Sequence, residues 1–137
     1  MPLLIGPDLE AAVIAGLKAT AAWTAVVPAG RLATRLPADP TLPCVTVRQM
    51  GGRAPATVWV DGSLFQFDVW AASSAQASQV ARTLRATLQE LHNTTQAGVV
   101  LSVDARSTPF SMPDDSYTPA RDRYILEADI VGHTSPA

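Results

Sequence analysis

The chain has 137 residues, one domain's length, and a net charge of −2 with no block of like charges, where a nucleic-acid-binding protein would usually carry a basic patch or stripe. Its single cysteine, Cys44, excludes an internal disulfide, and no apolar run approaches the ~20 residues of a membrane span. Charged residues make up 16%, below the ~25% of an average globular protein, so part of the surface is expected to be covered by partners.

The segment "PDLEAAVIAGLKAT" (7–20) predicts a helix, with Leu9, Ala12, Val13, Gly16 and Leu17 recurring at helical spacing as one buried stripe. Pro7 is expected in its first turn, Asp8 and Glu10 suit the positive N-terminus, and Lys18 suits the other end. From Trp23 to Pro43 the prolines at 28, 37, 40 and 43 predict irregular chain with a short extended piece over 31–36. "CVTVRQM" (44–50) alternates, Val45 and Val47 on one face and Thr46 and Arg48 on the other; Cys44 reads as a small buried residue. Gly51-Gly52 marks a turn. Residues 57–60 and 63–71 predict a hairpin around Asp61-Gly62, a dipeptide that accepts positive φ.

Ser73 followed by Gln76 fits a capping box opening a second helix over 74–92, with Ala77, Val80, Ala81, Leu84, Leu88 and Leu91 as its buried stripe. Two strands follow at 99–106 and 122–131, and residues 132–137 are expected to be a loose tail. Between those strands, "STPFSMPDDSYTPA" (107–120) is a long connection, and connections beyond ~12–15 residues are usually functional or disordered. Its Phe110, Met112 and Tyr117 predict a loop that meets a partner or folds onto its own domain.

The strands share one apolar face and one face holding Arg48, Asp68, Asp104, Arg106, Glu127 and Asp129. Such a sheet packs helices on one side only. With two helices available, the fold class is α+β, a single-domain two-layer sandwich with a core over about residues 8–131. Asp68 and Asp129 are candidate cross-strand neighbours, with Arg48 and Arg106 equally placed for charge pairing.

Catalysis needs convergent groups, and the sequence offers few. His92 ends the second helix and His133 lies in the expected tail. There is neither a phosphate-binding loop nor a dinucleotide fingerprint, and no paired-cysteine metal site. Asp114-Asp115 reads as a solvated turn rather than a cation site. No catalytic residue, cofactor or metal is assigned.

The order of elements, with "LPCVTVRQMGG", then "FQFDVWAASSAQASQVARTLRATLQEL", then a closing "RDRYILEADI", resembles the tail terminator (tail completion) proteins of long non-contractile-tailed bacteriophages. The most telling piece is a strand of the form aromatic-Gln-aromatic-Asp-Val-Trp-Ala running into an Ala-rich helix. The resemblance covers about residues 8–131. It implies a mostly antiparallel sheet and a hexameric ring in the virion, at the head-proximal end of the tail tube. Such a ring stops addition of tail tube protein at the length set by the tape measure protein. It then meets the head–tail connector, and DNA passes through its lumen without sequence-specific binding or membrane contact.

Under that reading Asp68 and Trp70, with Arg48 beside them, face a neighbouring subunit or ring; alternatively the chain's own 24–43 segment covers Trp70. Phe110, Met112, Asp114, Asp115 and Tyr117 of the long loop are further candidate contacts, as is Arg53, which has the lumen as its other option. Two other functions remain: a head–tail connector or stopper, and a small ligand-binding or enzymatic domain, which would need a pocket with convergent polar groups.

Overall fold

The computed structural model describes residues 7–27, 32–36, 41–51, 60–105, 108–117 and 120–134. Helix α1 spans Leu9–Ala19 and is capped by Asp8, whose carboxylate accepts from the Ala11 amide at 3.0 Å. Pro7 therefore precedes the cap instead of standing in the first turn. The stripe Leu9, Ala12, Val13, Gly16 and Leu17 is buried, as its spacing predicts. Where irregular chain was expected after Trp23, a six-residue helix α2 (Ala21–Val26) forms instead. A helix this short is marginal alone; Trp23 and Val27, both fully enclosed in the core, hold it in place.

The strands are β1 (Leu32–Ala33), β2 (Cys44–Gln49), β3 (Val60–Ala71), β4 (Thr95–Gln96), β5 (Val99–Ala105), β6 (Phe110–Ser111) and β7 (Asp122–His133). They form one sheet in the order β1-β2-β3-β7-β5-β4, with β6 also on β7, antiparallel throughout except for β1 beside β2. Strand β3 runs straight through Asp61-Gly62, which lie opposite Gly132 and Val131, so the hairpin expected there does not form. Residues 57–59 lie outside the described residues. A two-residue hairpin occurs instead at Ala97-Gly98, with φ of 50° and 79°, between Gln96 and Val99.

Strand β7 extends to His133, so Gly132 and His133 belong to the sheet and not to a loose tail. A Cβ on Gly132 would collide with Leu9 Cδ2 and stand 2.7 Å from Val99 Cγ1, so with any side chain here Leu9 of α1 and Val99 would have to shift.

Helix α3 (Ser74–Glu90) opens as the capping residues predict. Ser73 Oγ accepts from the Gln76 amide at 3.1 Å, and Gln76 Oε1 accepts from the Ala72 amide at 3.0 Å. It stops at Glu90, two residues before the predicted end. His92 then accepts the Val103 amide on its Nδ1 at 3.0 Å, satisfying an edge donor of β5 beyond the reach of β4. All three helices share one core with Val45, Val47, Phe65, Phe67, Val69, Leu101, Leu126 and Ile130, which occupy one side of the sheet. The result is the expected two-layer α+β arrangement, with helices on one face.

Candidate partner-contact surface

Directly opposed residues of neighbouring strands point to the same side of a sheet. The register therefore lays out the face turned away from the helices as rows. One row holds Cys44, Trp70 and Arg123; the next holds Thr46, Asp68, Ile125 and Phe110. Then come Arg48, Gln66 and Glu127, then Leu64, Asp129 and Asp104, then Gly62, Val131 and Ser102, and last Val60, His133 and Val100. Asp68 thus stands opposite Thr46 and Ile125, not beside Asp129, and the carboxylate paired across from Asp129 is Asp104. Arg106 lies outside the described residues.

The two ends of this face differ. At the first end, Cys44, Thr46, Asp68, Trp70 and Ile125 are all buried. Asp68 Oδ1 accepts from Gln66 Nε2 at 2.8 Å, and its Oδ2 stands 3.7 Å from Arg48 Nη2, the charge pairing expected of Arg48. The indole N–H of Trp70 donates to Asp114 Oδ2 at 3.1 Å, and the Arg123 guanidinium lies 5.9 Å from the ring centroid. Trp70 is 5% exposed. Neither it nor Asp68 is presented outward by this chain; residues 28–31 and 37–40 of the 24–43 segment lie outside the described residues, while Asp114 closes over Trp70.

That cover comes from the long connection, which is a hairpin rather than a loop. Phe110 and Ser111 pair with Ile125 and Tyr124, the Met112 amide donates to the Arg123 carbonyl at 2.9 Å, and Asp114 and Arg121 exchange backbone hydrogen bonds of 2.8 and 3.1 Å. The Arg123 Nε donates to the Met112 carbonyl at 2.9 Å. Asp114 is buried and also accepts from the Ser116 hydroxyl and amide. The Ser116 hydroxyl chiefly holds its carboxyl below the ordinary aspartate range; burial opposes the shift, and the Ser116 amide, the Trp70 donor and the Arg123 charge reinforce it. Tyr117 is half-buried beneath the Arg121 guanidinium, 3.7 Å from its ring centroid, and with Leu42, Ala71, Ala72 and Asp122 they line a cleft of about 360 Å³.

Of the remaining candidates, Asp115 is exposed, and Arg53 lies outside the described residues. Phe110 and Met112 are 38% and 47% exposed. Sequence reasoning missed two further apolar residues, Met50 at 49% and Val131 at 44%. Met50 extends β2 by donating to the Leu64 carbonyl at 2.7 Å, which sets it in the row of Leu64 and Asp129. All four large apolar side chains left exposed among the described residues thus lie on the helix-free face. Alternation within each strand could have placed Val131 there; for Met50 the register across the 52–59 segment was needed. Among the described residues no cluster of histidine, cysteine or carboxylate groups could hold a metal, and no helix is long and apolar enough to cross a membrane.

A family model described as tail completion protein gp17 matches residues 11–115, most of the chain. No curated protein matches it.

Proposed function

Since this chain belongs to the tail completion protein gp17 family of phage tail structural proteins, we propose that it is a ring subunit capping the head-proximal end of the tail tube. The ring stops further addition of tube protein, meets the head–tail connector on its other side, and leaves a lumen for DNA. The observation that carries this reading is the grouping of Met50, Phe110, Met112 and Val131 on the sheet face that no helix covers. Large apolar side chains left exposed on a face to which the described helices do not pack offer a partner apolar surface to bury. Trp70 supports it from beneath: hydrogen-bonded to Asp114, it holds β6 and its turn against the sheet, so that Phe110 and Met112 are offered from a tethered edge.

In this reading the work is mechanical. Six copies would offer different patches to their two neighbours, a heterologous contact that closes by rotation. The test is polymerisation of purified tail tube protein with and without this protein. Tubes that stop growing when it is added, with density at one end, support the reading. Growth to the same length in its presence, with no end-bound density, would contradict it.

A further inference from the structure

We infer that the open end of the helix-free face receives helix α3 of a second copy of this chain, an inference that rests on the ring reading above. The receiving surface is made by two adjoining rows, Leu64, Asp129 and Asp104 in one and Gly62, Val131 and Ser102 in the other. Met50 borders the first row, and Glu127 is the next outward residue of β7. The Asp104 and Glu127 carboxylates thus flank an apolar strip that Gly62 leaves flat. Arg48, the described basic side chain of the adjoining row, is already engaged with Asp68.

The opposite side of the sandwich carries the complement. Helix α3 turns Ala77, Val80, Ala81, Leu84 and Leu88 into the core, so Ala75, Gln79, Arg82 and Ala86, followed by Gln89 and Glu90 at its end, form its exposed stripe. Arg85 stands one turn from Arg82, half-buried, with an Nε that finds no hydrogen-bond partner among the described residues. Arg82 is exposed and Arg85 half-buried one turn away, with alanines on either side, and alanines allow the helix to lie close against a flat sheet. Opposed patches of complementary charge fix the register of a contact and suppress wrong partners. The two patches lie on opposite sides of one domain. A contact between them is therefore head-to-tail, which gives a ring when the rotation closes and cannot give a two-fold pair.

The test uses the full-length protein in three forms: Asp104→Arg with Glu127→Arg, Arg82→Glu with Arg85→Glu, and all four changes together. Ring formation is read by native mass spectrometry across a concentration series, alone and on purified tail tubes, with thermal melts to verify folding. Each pair of reversals should raise the concentration needed for assembly about 100-fold, since like charges meet across the contact, and the fourfold variant should recover most of that loss. Rings and capping unchanged in both double variants, or a fourfold variant as impaired as either, would overturn the docking of α3 and leave the ring reading standing. The docking of α3 is equally overturned if the Asp104/Glu127 variant still forms rings but fails to cap, because the face would then take tube protein. A wild-type chain that forms no ring with or without tubes would sink both.

Discussion

The two faces of the central sheet are buried by different means. On the helix side, Phe65, Phe67, Leu126 and Ile130 alternate along β3 and β7 and vanish into a core completed by α1, α2 and α3. On the other side, Asp68, Trp70 and Asp114 are almost as inaccessible, yet Asp68 accepts from Gln66, and Asp114 accepts from Trp70 and Ser116. The first face is stabilised chiefly by packing, with the Gln49–Ser63 hydrogen bond at its margin, and tolerates few changes of volume. The second depends on directional partners, each of which leaves a buried polar group unsatisfied if removed. A molecule whose helix-free face must both stay folded and meet other proteins can divide that face, one end closed by its own hairpin and the other left open.

The contrast predicts a hierarchy of substitutions. Phe67→Ala removes a fully buried ring from the packed face and should cost about 3–5 kcal/mol, read as a lower midpoint in urea unfolding. Gly132→Ala tests the close approach of α1 and should cost about 1–3 kcal/mol as Leu9 and Val99 are displaced. A change near zero would mean that α1 is not pinned there.

Trp70→Phe keeps most of the volume and deletes one donor, leaving the Asp114 carboxylate short of a partner. A loss of about 1–3 kcal/mol is expected, with amide exchange quickening first in residues 110–121. Exchange that quickens uniformly through the molecule would erase the distinction between the two faces.

Acid probes the same contact. Because Asp114 titrates below an unfolded aspartate at ~3.9, its stabilisation is fully present above that value. It is lost as pH falls through the folded value. Asp114→Asn should flatten this acid limb of the stability–pH curve while leaving its alkaline side unchanged in shape. The smallest effect is expected from Arg48→Ala: its side chain is 59% exposed, with Nη2 3.7 Å from Asp68, and such pairs contribute about 0–1 kcal/mol.

The helix-side face was legible in the sequence because it follows the rules of period alone. The α1 and α3 stripes, the inward residues of β3 and β7, and the Ser73–Gln76 cap could all be read from spacing. The other face was not, because its pattern depends on register. Nothing in "STPFSMPDDSYTPA" shows that Phe110 falls opposite Ile125, or that Asp114, which reads as a solvated turn residue, closes over Trp70 forty-four positions earlier. Asp61-Gly62 failed as a turn signal for a related reason. Its neighbour across the sheet is Gly132 in β7, and a long central strand outweighs a local dipeptide preference. Helix α2 was missed because its prolines lie outside it while Trp23, its core residue, was read together with them. Recognising the family required the order of elements rather than any site, and the match over residues 11–115 bears out that recognition.

Whether the protein ends tube growth is best decided by electron microscopy of particles assembled with this gene disrupted, scoring the length of every tail. Overlong tubes of variable length, detached from filled heads, are the predicted result. Tails of normal length lying free beside filled heads would contradict it, because they would place the protein at the joint and not at the end of tube growth.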